Sequence, residues 1–191
     1  MDDWVRGRTG LVSIDVDYFM HGGDPHLVAP LREWFARAVR DGARVVFRDD
    51  HVDLVELVTR PVDFIVNLDH HMDLRLEFLH GAPARRPPVN ASVFETLLAD
   101  GLTERYVWAH PPGRRRAAAL AYSSAFAAGR QSLLPRIHCV EGRSAVRRIM
   151  CRAEVGFVFV CRSPDYADAT TDAVFHDLRR LGSPAAPGVR S

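Results

Sequence analysis

Short apolar runs rich in β-branched residues alternate along this chain with longer stretches whose apolar positions recur at helical spacing. Residues 11–17, 44–47, 62–68, 105–109, 136–140 and 155–161 read as strands, the last of them the most apolar. Residues 25–40 place Leu27, Leu31, Trp34, Phe35 and Ala38 on one side of a helix that Asp41-Gly42 stops. Shorter helices are predicted over 52–59, ending before Pro61, and over 91–100, ended by Gly101. Residues 114–128 are Ala-rich and helical in pattern, and 169–181 form the last helix. Residues 81–88 make a loop rich in Pro and Arg, and Pro111-Pro112-Gly113 cut the fourth strand. Strands and helices in alternation define an α/β fold, a three-layer αβα sandwich with a mainly parallel sheet. A single domain is expected over residues 1–182, followed by a frayed tail at 183–191.

Ligands of such folds bind beyond the carboxyl ends of the strands, and the polar residues collect there. Asp15 and Asp17 end the first strand, Asp49, Asp50 and His51 follow the second, and Asp69, His71 and Asp73 end the third. Ser163, Pro164 and Asp165 follow the last. Asp69, His71 and Asp73 are spaced i, i+2, i+4, which on an extended strand puts all three on one face. A D-x-D pair alone is more often a salt-bridged strand end or an Asx-turn than a metal site, and His51 alone is as well explained by a hydrogen-bonded strand-end histidine. Carboxylates and imidazoles this dense, however, repel or desolvate one another unless a cation joins them. Asp15, Asp17, His51, Asp69, His71 and Asp73 together offer four carboxylates and two imidazoles, a set that suits two divalent ions bridged by carboxylates. Hard oxygen with some nitrogen and no thiolate favours manganese-type ions over structural zinc.

Composition narrows the setting more than the chemistry. At 47% hydrophobic and 26% charged the chain is ordinary for a globular protein. Its formal net charge of +1 gives no reason to expect nucleic acid or an anionic membrane as partner. Arg85-Arg86 and Arg114-Arg115-Arg116 read as solvated loop or helix-start positions. Cys139, Cys151 and Cys161 are odd in number and lack metal-type spacing, so disulfides are not expected and a reducing compartment is. The acidic N-terminus lacks the basic-then-apolar order of a signal peptide. No apolar run approaches the roughly 18 residues of a membrane span, so a cytoplasmic protein is expected.

Asp69-His70-His71-Met72-Asp73 resembles the D-x-H-x-D signature of the arginase–ureohydrolase superfamily, Asp15-Val16-Asp17 its D-x-D, and His51 its isolated upstream histidine. Further segments make the chain more similar to the UPF0489 group, which includes the peptide arginases of peptide natural-product pathways. They are Ile14-Asp15-Val16-Asp17-Tyr18-Phe19, Val107-Trp108-Ala109-His110-Pro111-Pro112 and Cys161-Arg162-Ser163-Pro164-Asp165-Tyr166. The D-x-D precedes the D-x-H-x-D here, an order permuted relative to ordinary arginases. The resemblance implies an arginase-like fold and a hydrolase that converts peptidyl arginine to ornithine with release of urea. It implies two Mn²⁺ ions, one held by His51, Asp69, Asp73 and Asp15 and the other by His71, Asp69, Asp15 and Asp17, with Asp69 and Asp15 bridging.

In the same scheme Asp17 relays a proton to the departing amine, His80 and His110 are further shuttle candidates, and His70 tunes the ligands from behind. Asp165 is the first candidate to pair with the substrate guanidinium, with Ser163 and Asn90 lining the pocket. A helix cap or Asx-turn explains Asp165 equally well, and Asp24 and Glu77 are weaker candidates for the same task. Ala91 departs from the Asn-Trp pair that relatives carry at Asn90-Ala91. The short loop after Asp73 lacks the segment by which free-arginine enzymes grip the amino acid's α-carboxylate and α-amine. The implied partner is therefore an arginine-containing precursor peptide, and assembly into a homo-oligomer is compatible with it. Two alternatives stay open. One is a metal-dependent amidohydrolase or deacetylase of the same fold, with Tyr18 or Tyr166 as oxyanion donor; the other is a non-catalytic metal-binding relative.

Overall fold

The structure, a computed structural model, describes residues 7–22, 24–74, 92–113 and 131–183. Six strands form one sheet: β1 (Thr9–Asp15), β2 (Arg44–Arg48), β3 (Val62–Leu68), β4 (Thr103–His110), β5 (Ile137–Glu141) and β6 (Glu154–Cys161). Their order is β2-β6-β1-β3-β4-β5, and every pairing is parallel. Each lies where the sequence pattern put a strand. The predicted helix over 114–128, the loop over 81–88, Glu77, His80, Asn90 and the tail from 184 onward lie outside the described residues.

The helix Pro25–Arg40 buries Leu27, Leu31, Trp34, Phe35 and Ala38, the five positions its periodicity selects. With the helix Ala169–Gly182 and the helical turns Ala145–Met150 it covers one face of the sheet, against Val12, Ile14, Val66 and Val160. The helices Asp53–Leu57 and Val93–Ala99 cover the other, against Leu11, Ile65, Tyr106, Trp108 and Phe159. Side chains alternate along a strand, so Ser13 and Asp15 share the second face with Leu11, and Asn67 shares it with Ile65. Register aligns these positions: Ser13 with Asn67 and Phe159, Asn67 with Trp108, Asp15 with Cys161. The polar residues that enter the sheet thus gather on one face, toward its carboxyl edge. From β1 the chain runs to edge strand β2, returns to β3 on the other side of β1, and later inserts β6 between β2 and β1. That reversal of direction at β1 is where open α/β sheets leave a crevice.

Two strand ends differ from the sequence reading. The first strand stops at Asp15, and Val16–Gly22 wind into a 3₁₀ helix that carries Asp17. The Asp15 side chain causes this locally: its Oδ1 accepts the Asp17 N–H at 3.1 Å, a bond that competes with the sheet ladder. The third strand stops at Leu68, so Asp69, His71 and Asp73 are not presented by an extended strand face. Asp69 Oδ1 accepts the His71 N–H at 2.7 Å, and Asp73 takes a left-handed φ of 48°. Their convergence comes from a turn that folds back over the sheet edge.

Gly10 sits against the ring of its register partner Phe64, where a Cβ would lie 2.1 Å from the nearest ring carbon. Gly10→Ala is expected to cost about 1–3 kcal/mol through overpacking, read as a lower urea midpoint at unchanged m-value.

Candidate metal centre

Four carboxylates and two imidazoles meet at the carboxyl ends of β1 and β3 and in the turn after β2. Asp15, Asp17, His51 and Asp69 are buried, the Asp73 side chain is 11% exposed and that of His71 39%. Ligand atoms of Asp15, His51 and Asp69 lie within 4.8 Å of one another, and so do those of Asp17, Asp69 and His71. Two Asp/His triads therefore overlap at Asp69, and each could hold a metal ion. Asp73 approaches the first triad, with Oδ2 2.8 Å from His51 Nδ1. Asp17 Oδ2 and His71 Nδ1 are 2.9 Å apart in the second.

The electrostatics show a site short of positive charge. Burial first, then the charges of Asp73, Asp17 and Asp15, push Asp69 well above the usual carboxylate range. Burial and Asp17 likewise raise Asp15. Burial would raise Asp17 too, but the hydrogen bond and charge of His71 outweigh it and hold Asp17 low. Burial alone would lower His51; the carboxylates of Asp15 and Asp73 overcome it and push the imidazole up to about 10. His71 is raised first by its hydrogen bond to Asp17. Hydrogen bonds relieve part of the repulsion among the carboxylates, and the rest draws protons onto the cluster.

His51 gives the sharpest test of whether a cation fits. Its Nε2 lies 2.7 Å from Ser13 Oγ. Its buried Nδ1 makes no well-directed hydrogen bond, although Asp73, Asp15 and Asp69 oxygens stand 2.8, 3.4 and 3.7 Å away. A ring whose Nε2 has a hydroxyl for partner, and whose Nδ1 faces three carboxylates, has the arrangement of a metal ligand with its outer partner in place. Two divalent cations would also balance the four carboxylates with both imidazoles neutral. The donor set fits the group.

The cleft above is lined by Asp15, Asp17, His51, His71 and Asp73, with Asp50, Ser163, Pro164, Asp165 and Tyr166 toward its mouth. Asp165 lies in the 3₁₀ turn Pro164–Tyr166 and is exposed there. The helix cap that competed for it belongs to Asp168, which accepts the Thr170 and Thr171 N–H groups in a capping box. Ser163, expected in the pocket wall, gives its hydroxyl to Asp15 Oδ2 at 2.5 Å and holds a left-handed φ of 47°. Tyr166 is 52% exposed, and its ring centroid is 5.1 Å from that of His71.

Other candidates lie elsewhere. Asp24 is buried and already grips a guanidinium, that of Arg143, through both oxygens. His110 is buried beside Trp108, with Nδ1 2.8 Å from the Pro111 carbonyl. Tyr18 is fully buried and directs its hydroxyl to the His110 carbonyl. The His70 ring stands by His71, and its backbone N–H donates to Asp17 Oδ1 at 3.2 Å. Residues that the sequence reading passed over surround Asp69. Asn67 Nδ2 donates to its Oδ2 at 2.9 Å and Trp108 Nε1 to its carbonyl at 3.0 Å. Polar-capable side chains recurring every second residue next to a D-x-H-x-D are the signal that could have marked them.

The fold and site define an α/β protein with a buried Asp/His cluster able to hold metal. No family model matches the chain, and no curated protein matches it. Among solved structures it is similar to a hypothetical agmatinase from Burkholderia thailandensis. That match has 11% sequence identity and a TM-score of 0.41, over 95% of this chain and 86% of that one. The chemistry of the site rests on its own residues. Among the described residues no helix is long and apolar enough to cross a membrane, and no disulfide joins Cys139, Cys151 or Cys161.

Proposed function

We propose that this protein is a dinuclear, manganese-dependent ureohydrolase that converts peptidyl arginine to ornithine and urea. The observation that carries the reading is the pair of triads overlapping at Asp69, with His51 Nδ1 facing the carboxylates of Asp73, Asp15 and Asp69. It supports the ligand scheme that the D-x-D, His51 and D-x-H-x-D resemblance implies: Asp15, His51, Asp69 and Asp73 toward one ion, and Asp15, Asp17, Asp69 and His71 toward the other. When bound, two such ions supply the Lewis acidity that makes water nucleophilic near neutral pH.

The chain's own residues do the rest. Asp165, at the mouth and outside both triads, pairs with the flat guanidinium, and the Tyr166 ring lies beside it as a face for a planar cation. Water oxygen adds to the guanidinium carbon, the bond from that carbon to the side-chain nitrogen breaks, and urea leaves. Asp17, at the cleft floor, carries the proton that the departing amine requires. An acidic mouth suits a cationic side chain whose own carboxylate is tied up in an amide.

The test is incubation of manganese-loaded protein with an arginine-containing peptide and, separately, with free arginine. Mass spectrometry should show loss of CH₂N₂ per peptidyl arginine, with equimolar urea and no change in free arginine. Release of acetate from acetyl-lysine peptides without urea would replace the reading by a deacetylase. A metal-loaded protein inert toward every arginyl peptide would make it a non-catalytic relative.

A further inference from the structure

Tyr106 and Trp108 take no part in the chemistry above, yet both are buried and both reach the turn that carries Asp69, His71 and Asp73. They stand two residues apart on β4, on the face shared with Asn67. Trp108 holds the start of the turn through the Asp69 carbonyl, at 3.0 Å. Tyr106 holds its far side: the hydroxyl donates to the Met72 carbonyl at 2.6 Å and accepts from Asn67 Nδ2 at 3.2 Å. The residue after Met72 is Asp73, whose left-handed φ of 48° swings its carboxylate back to His51. An aspartate can enter this region as a single residue but is not confined to it, and the Tyr106–Met72 bond is a holding contact adjoining it. The other half of the centre has holding contacts of its own. Asp17 and His71 hold each other, and Asp17 is further held by the His70 N–H.

We propose that Tyr106 is a positioning residue whose hydroxyl, by fixing the Met72 carbonyl, delivers Asp73 to the Asp15–His51–Asp69 triad and so governs the occupancy of that half of the centre far more than of the other. This rests on the two-metal reading given above.

The test is titration of metal-free protein with Mn²⁺, followed by calorimetry and by metal content after gel filtration, for wild type, Tyr106→Phe, Asp73→Asn and the double variant. Wild type should bind two ions. Tyr106→Phe should weaken one of them about 10–100-fold, as loss of an outer-shell partner does, and leave the other within about twofold. The double variant should be no weaker than Asp73→Asn alone, because both changes remove the same ligand. The metal-free melting temperature of Tyr106→Phe should fall by no more than about 4–8 °C, the worth of the two hydrogen bonds its hydroxyl makes. Equal weakening of both ions, additive losses in the double variant, or a larger fall in melting temperature would overturn the positioning role. Wild type that binds no divalent ion would overturn the two-metal reading and this inference together, whereas two tight ions in both wild type and Tyr106→Phe would overturn this inference only.

Discussion

Asp69→Asn should strip the protein of both ions while leaving the metal-free fold as stable as wild type or more so. Asp69 belongs to both triads, so loss of its carboxylate weakens the two halves together. Removing an outer-shell partner costs about 10–100-fold in metal affinity, and a shared direct ligand should exceed the upper figure in each site. Urea formation should then fall below about 1% of wild type, because the activated water depends on the ions. The metal-free prediction has the opposite sign. Asp69 is buried among Asp15, Asp17 and Asp73 and held well above the usual carboxylate range, so its ionised form burdens the fold. An amide keeps one oxygen for the His71 N–H, and the buried, unpartnered Oδ1 of Asn67 can turn to accept from the new NH₂. Metal content and melting temperature, each with and without Mn²⁺, check both halves. A variant that retains both ions, or one that unfolds without metal while wild type does not, contradicts the assignment.

Why Asp69 could be singled out from the sequence, and its supporting residues could not, follows from how each is encoded. The D-x-H-x-D run is local: four polar groups within five residues after an apolar strand cannot be core. Asn67, Tyr106 and Trp108 sit inside apolar runs, where alternation marks them only as inward-facing. Their roles arise from the registration of β3 against β4, which pairs Asn67 with Trp108 across strands distant in sequence. The strands and the parallel α/β architecture were legible because period-2 and period-3.6 patterns are written within each segment. The geometry of the cluster was legible only in part. An extended strand was expected to carry Asp69, His71 and Asp73, and instead the Asp69 side chain captures the His71 N–H and bends the chain. The same substitution of side chain for ladder ends β1 at Asp15. In both places a carboxylate of the cluster also breaks the element. Asp24 shows the complementary limit, since nothing near it in sequence announces that Arg143 already fills it.

Chelation should destabilise the protein more at pH 8.5 than at pH 6. In the metal-free fold, Asp15 and Asp69 are raised above the ordinary carboxylate value of 3.8, and His51 from 6.5 to about 10. Each binds its proton more tightly folded than unfolded. The stability it lends is complete below the unfolded value and is lost as pH rises through the folded one. For His51 that window runs from 6.5 to about 10. Asp17, held low by His71 against its burial, has the opposite sign, and its contribution disappears only as pH falls below 3.8, outside the range tested. The metal-free protein therefore weakens toward alkaline pH. The loaded protein strengthens, because ions and protons compete for the same oxygen and nitrogen atoms. Two sites each at a hundredfold excess over Kd add about 5 kcal/mol, roughly 10–20 °C for a domain of this size. Melting temperatures in Mn²⁺ and in EDTA across this pH range should diverge toward that value. A gap that stays constant or closes with rising pH would mean that the four carboxylates are reconciled by something other than bound metal, since only a competing cation makes the two forms respond to protons in opposite directions.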